Sequence, residues 1–402
     1  MSTRLRILAL DLNLSYINPT RNLVGAVLKR SFDTCFFGPG YVERNTLQKG
    51  LKRFVDLHGP FDVVVATEHI AFAQPWRDGC VPRGYLKNYV RSFNDSELFH
   101  TFDIYEEFLK LDIAKCVFLL ESDPHNFPLS QIQRLEDSGA FVLGLGEQFV
   151  RPIEELSVLV KEAFAGSANN NWWNFIQNKR ARLISLPGFV SETEFGWSPL
   201  DGRRFAWSVA GARYWARNEV AVALTRLGIP WTGRRLSLAL SVLERLGFRP
   251  LARPLVCQAF REQFRKIIES SKYSFTCGSG VGYPVRKFFE IPAVGAVLVC
   301  MPCNGFRALG FEHLVNTVVC QPSEIGEVHQ SLENDPEKAQ AIADAGRELV
   351  WRKHTVAARA LQLKETFESI CSGRFAGSYW DSGDYCIVEQ DGPEQTVRRI
   401  QV

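Results

Sequence analysis

Residues 272–299 read KYSFTCGSGVGYPVRKFFEIPAVGAVLV, and they hold the residue types most suited to a phosphorylated ligand. A strand-forming run enters a glycine-rich turn, 277–282, which contains Gly280 and Gly282, and Pro284 then opens a predicted helix. Free backbone N–H groups at a helix start attract anions, and glycine lets a phosphate come close to the chain. Arg286 in the first turn offers a bidentate cation–phosphate contact. Glu290, four residues on, shares its face of the helix, and a carboxylate can accept hydrogen bonds from two neighbouring ribose hydroxyls. The plainer reading of Arg286 and Glu290 is a surface helix pair, worth about 0.3–0.5 kcal/mol. Arg preceding Glu is the poorer order against the helix dipole.

A second set of residues could move a proton. Asp11 follows the first apolar run, His69 follows VVVAT, and Asp123 with His125 follows FLLES. Each stands at the carboxyl end of a predicted strand, where α/β domains present functional loops. Each also has a structural reading. Asp11 can cap a turn, His69 can be a satisfied loop histidine, and Asp123-Pro124 is a common turn initiator. His354 precedes a helix start and reads as structural. Trp172 and Trp173, in NNNWWNFIQNKRAR, offer a sugar-stacking or membrane-surface element, against a loop that folds two aromatics into the core. Residues 99–108 likewise suit an acceptor pocket or a core helix. Cys300 and Cys303 form the chain's single C-x-x-C, and without a second pair a structural zinc is not expected.

The elements that must carry these residues alternate. In the first half, strands are predicted at 6–10, 32–37, 61–66, 116–120 and 141–145. Helices are predicted after Pro19, around 47–55, within 84–111, near 129–137 and near 152–164. The second half has strands at 205–209, 273–277, 296–300 and 317–319. Its helices are at 218–227, 235–246, 256–270, 284–291, after the caps Ser323 and Asp335, and at 355–370. A hairpin is predicted over 385–402 around Asp391-Gly392-Pro393. Strand–helix alternation implies parallel sheets with right-handed crossovers. The weakest pattern lies at 186–204. The expected organisation is an N-terminal domain over 1–195, a C-terminal domain over 205–355, a closing helix over 356–370 and a tail over 371–402. Two doubly wound domains suggest ligands held at the carboxyl ends of their strands, in a cleft.

The chain has 402 residues, 46% of them hydrophobic, which suffices for two cores. Charged residues make up 23%, a globular rather than a disordered composition. A net charge of +3 is too small to argue for nucleic acid, though it suits an anionic ligand. The apolar run at the start is only about six residues, too short for a signal peptide or a membrane span, so a cytoplasmic protein is expected. The ten cysteines are scattered, several inside apolar strands, as in reduced compartments.

From residue 283 to about 370 the sequence resembles the donor domain of bacterial glycosyltransferases of the spore-maturation type, within the broad glycosyltransferase group 1 superfamily. RKFFEIPAVGAVLV (286–299), GFEHLVNTVV (310–319), a Ser-capped helix, NDPEKAQAIADAGRELVWRKHT (334–355) and AARALQL (357–363) come in the family's order. Upstream, WSVAGARYWARNEVAVALTRLG (207–228) resembles its domain-opening strand, loop and helix, and FFGPGY (36–41) its N-domain loop.

The resemblance implies a GT-B fold: two Rossmann-like doubly wound α/β domains facing across a cleft. It implies a glycosyltransferase that uses a nucleotide sugar as substrate, with no separate cofactor. Glu290 matches the position that holds the donor ribose and Arg286 the basic position before it. Gly211, Arg213 and Arg217 match the loop near the diphosphate, and His313 lies near the donor-site loop. Such enzymes place side chains and helix dipoles, not a metal, on the leaving group, and no D-x-D motif is present. Members with a paired-glutamate motif carry an acid eight positions before the ribose-binding one, where this chain has Gly282. Gly188 stands where relatives often carry His. The acceptor stays open between glycan, small molecule, protein and nucleic acid. A nucleotide-sugar epimerase of the same fold and an inactive transferase-like binding protein are the alternatives.

Overall fold

The computed structural model describes residues 4–13, 19–71, 95–120, 127, 129–144, 170–211, 214–233, 242, 246, 254–278 and 283–402. Asp123, His125, Arg213, Gly280 and Gly282 lie outside the described residues, as do the segment expected to be helical at 152–164 and most of 235–246. The chain divides into two compact units. One comprises residues 1–186, 360–379 and 385–401, the other residues 187–359, 380–384 and 402.

The first unit alternates strand and helix: β1 (Arg6–Leu10), α1 (Pro19–Ser31), β2 (Asp33–Phe37), α2 (Arg44–Gln48), α3 (Gly50–His58), β3 (Val63–Thr67), α4 (Glu68–Ala71), α5 (Asp95–Lys110), β4 (Ala114–Leu119), α6 (Leu129–Asp137), β5 (Phe141–Gly144), α7 (Asn170–Asn178) and β6 (Leu183–Ser185). The strands form one parallel sheet in the order β2-β1-β3-β4-β5-β6. VVVAT in β3 is buried along its whole length, as a continuous apolar run must be when both faces of a parallel sheet are covered. Helices turn one stripe to that sheet: Leu51 and Phe54 from α3, Ile132 and Leu135 from α6, Ile104, Tyr105 and Phe108 from α5. The segment around Trp172, whose plainer reading is a loop, is the helix α7 from Asn170. Its Trp172 is fully buried and stacked on Phe175, 5.3 Å between ring centres, so helical spacing lets one face carry both rings into the core.

In the second unit follow β7 (Phe205–Ser208), α8 (Trp215–Arg226), β8 (Trp231–Thr232), α9 (Pro254–Glu269), β9 (Ser271–Thr276), α10 (Lys287–Ala293), β10 (Val297–Cys300), β11 (Val318–Val319), α11 (Ile325–Asn334) and α12 (Pro336–Lys353). Its sheet is also parallel, ordered β11-β10-β9-β7-β8. Trp207, Tyr273, Val297 and Val299 form the sheet's contribution to a core closed by Val220 and Leu224 of α8 and Ile342 and Ala343 of α12. Asp335 caps α12 through the Lys338 N–H at 3.0 Å, with Pro336 in the first turn. Ser323, expected as the cap of α11, instead lies inside a 3-10 turn, Pro322–Glu324. Gln321 and Glu324 form a reciprocal capping box around that turn, satisfying two N–H groups that a lone serine would leave open.

After α13 (Val356–Cys371), the strands β12 (Phe375–Asp381), β13 (Asp384–Asp391) and β14 (Glu394–Ile400) form an antiparallel sheet in that order. The hairpin expected from Asp391-Gly392 is there, and β12 joins it. No helix among the described residues is long and apolar enough to cross a membrane.

Candidate functional site

Strand order locates the sites. In the second unit β7 leads outward to β8, while β9 returns to the other side of β7. The chain therefore reverses direction between β7 and β9, and loops leaving their carboxyl ends splay apart, which opens a place for a ligand. Gly211 lies just after β7, Thr276 closes β9 and Cys277 follows it.

Two cations meet there, one buried and one half-buried. Arg217, on α8, is 3% exposed and donates from Nη2 to the Thr276 hydroxyl at 3.0 Å. Lys287 opens α10, and its Nζ lies 2.7 Å from where a Cβ would stand on Gly211, with Arg217 Nη1 at 3.3 Å from the same point. Gly211 has φ +109°, a left-handed conformation that L side chains rarely adopt. Absence of a side chain there is what leaves room for both cations. Burial pushes the Arg217 guanidinium below its ordinary value. Burial, and then the charge of Arg217, push Lys287 down to about 8, against smaller opposing effects of Glu290 and Cys277. Two like charges held together and partly shielded from water are a standing electrostatic cost, which an anion between them would reduce.

Beside the cations lies a chain of carboxylate contacts. Arg286, the residue before α10, gives Nη1 to Glu290 Oε1 and Nη2 to Glu194 Oε2. Burial lowers the Arg286 pKa, but Glu290 and Glu194 outweigh it and hold the guanidinium above its ordinary value. Both terminal nitrogens are thus engaged by carboxylates, and the residue nearest the cation pocket is Lys287. Residues 283–285 precede the helix, which begins at Lys287 rather than at Pro284, because the Phe288 N–H turns back to the Val285 carbonyl at 2.9 Å. The expected surface pair of Arg286 and Glu290 exists, but half-buried and joined to a third group.

Segment 187–190 packs against this helix. A Cβ on Gly188 would meet the Phe289 ring at 2.7 Å and the Arg286 Cα at 3.4 Å. Arg359, fully buried, holds the segment from behind by donating to the Pro187 and Gly188 carbonyls. His354, also fully buried, bonds Leu309 O and Arg359 Nη2 at 2.8 Å each. Burial and then Arg359 hold its pKa well below the ordinary range, so the ring is a neutral structural link. His313 is exposed, and its Nδ1 accepts the Val319 N–H at 2.9 Å, which ties the 311–317 loop to β11.

The first unit has its own reversal, between β1 and β3. Asp11 follows β1 and is buried; its Oδ1 accepts from the Thr67 hydroxyl and, at 2.8 Å, from the Leu12 N–H. The exit of β2 lies against it: Gly38 has φ +142°, and the Asp11 carbonyl occupies the place of any Cβ. His69 in α4 is buried, as is its neighbour Glu68, which accepts the Leu120 N–H at 3.2 Å. Asp11 and His69 therefore share one carboxyl edge of the sheet.

Sequence reasoning missed Lys287, Glu194 and Glu68. Ser191-x-x-Glu194 is a legible capping-box signature, and the box is formed. Its long-range pairing with Arg286, 92 residues away, left no local signal.

Residues 244–365 match a family model described as glycosyl transferase-like. Over the whole chain, the structure is similar to HepE of Anabaena, solved in complex with UDP and glucose, at a TM-score of 0.51 and 14% identity, covering 91% of this chain and 100% of that one. A glycosyltransferase from Rickettsia africae gives 0.52 and 11%, covering 92% and 99%. Sucrose-phosphate synthase from Thermosynechococcus elongatus gives 0.50 and 11%, covering 92% and 100%. A comparison with curated protein sequences finds no match. Residues 244–365 are thus similar to glycosyl transferase-like sequences, and the chain has the GT-B fold.

Proposed function

We propose that this protein is a metal-independent glycosyltransferase that moves a sugar from a nucleotide-activated donor to an acceptor hydroxyl. The observation that carries the reading is the pair of cations, buried Arg217 and half-buried Lys287, converging over Gly211 where the sheet of the second unit reverses. As the anomeric carbon–oxygen bond breaks, negative charge grows on the departing diphosphate. Fixed cations in a low-dielectric site stabilise that charge without reorganising. Glu290, one turn along α10, has no hydrogen bond to Oε2 among the described residues, and that oxygen suits the donor ribose. Gly280, Gly282 and Arg213 remain candidates for the same donor, and His313 for the margin of its site. Where the reaction inverts, a base takes the acceptor proton, and Asp11, His69 and Asp123 are the candidates. HepE binds UDP and glucose, which makes uridine-linked sugars the first donors to try.

Incubation with a panel of nucleotide sugars, with and without candidate acceptors, tests the proposal. Release of nucleoside diphosphate is expected, and NMR of the products separates transfer from epimerisation of the donor. If no nucleotide sugar or nucleoside diphosphate binds, the proposal fails.

A further inference from the structure

We propose that Glu194 is a positioning residue that keeps one oxygen of Glu290 open to the donor ribose; the inference rests on the donor reading above. Arg286 has two terminal nitrogens and two carboxylates to satisfy. Nη2 is taken by Glu194 Oε2, so only Nη1 reaches Glu290, at Oε1. A guanidinium facing a single carboxylate prefers the bidentate fork, which would close on both oxygens. Glu194 prevents that closure. It is itself fixed: its Oε1 accepts the Ser191 N–H at 2.8 Å within the capping box, so its reach toward Arg286 is set by the turn of 192–194. The side chains of Arg286, Glu290 and Glu194 retain 19%, 17% and 28% exposure, so the row reaches solvent while most of it is dry. A row runs from Glu194 through Arg286 to Glu290, with Lys287 and Arg217 serving a different part of the ligand.

That separation supplies the test. A nucleoside diphosphate uses both the carboxylate row and the cation pocket, whereas inorganic pyrophosphate uses only the cations. Calorimetric titration of the full chain with both probes compares the wild type with Glu194→Ala and with the isosteric Glu194→Gln, which serves should the alanine variant not fold. Both variants are expected to bind the nucleoside diphosphate about tenfold more weakly, a factor typical of one charge-assisted hydrogen bond. Pyrophosphate affinity should stay within about twofold, because no ribose is involved. In a Glu290→Ala background the Glu194 substitution should cost nothing further, since the two act through one contact. Equal loss for both probes, no loss for either, or additive losses in the double variant would each overturn the inference while leaving the donor reading in place. A wild-type protein that binds neither probe overturns both.

Discussion

Lys287 carries its charge where burial and Arg217 both oppose it, and this sets a pH dependence with a definite sign. Between about 8 and its ordinary 10.5, the unfolded chain holds a proton that the folded chain has released. The ligand-free protein should therefore gain stability from this group as pH rises through that window, and lose it as pH falls toward 8. Anion binding runs the other way, because only the ammonium attracts a diphosphate. Pyrophosphate affinity is expected to fall roughly tenfold between about pH 7 and pH 9.5 in calorimetry, and Lys287→Met should abolish most of that dependence. A flat profile in the wild type would remove Lys287 from the pocket. Glu290→Ala should cost about 10–100-fold in nucleoside diphosphate affinity with the melting temperature little changed. The types and spacing of Arg286 and Glu290 were readable from the sequence. Lys287 stood between them unread, because the predicted helix began three residues early and put Arg286 in its first turn. Which side chain turns to the pocket depends on that offset, and helix boundaries are the least determined feature of a local pattern.

At the scale of elements, close approaches of backbone decide what the site tolerates. Gly211 between β7 and α8 combines a positive φ with the space that Lys287 and Arg217 fill. Gly211→Ala is expected to displace Lys287, weakening pyrophosphate binding about tenfold and destabilising the fold by about 1–3 kcal/mol in urea titrations. Gly188 stands where relatives of the resembled family often carry histidine, yet the segment lies against Phe289 and Arg286 with no room for a Cβ. Gly188→His should destabilise by about 1–3 kcal/mol through overpacking, without creating a new ligand contact. Glycine there is legible only from the packing. By contrast the start of α12 was legible, since Asp335 and Pro336 both mark it. Helix α7 was not, because Asn at its start and paired tryptophans favour a loop by composition, and only burial of Trp172 against Phe175 turns the balance.

Across the whole molecule, the two parallel sheets were visible in the alternation of apolar runs and helical stripes, while strand order was not. The reversal points between β1 and β3 and between β7 and β9 follow from that order. They gather residues far apart in sequence: Asp11 with Thr67, and Gly211 with Arg217, Thr276 and Lys287. Short strands such as β6 and β8 carry too little pattern to be read singly, and they form because a longer neighbour offers an edge.

A crystal structure of the chain with a nucleoside diphosphate measures the central claim directly. It should place the diphosphate within about 3 Å of Lys287 Nζ and an Arg217 nitrogen, and a ribose hydroxyl on Glu290 Oε2. Nucleotide bound away from both cations, or a ribose that leaves Glu290 untouched, would contradict it.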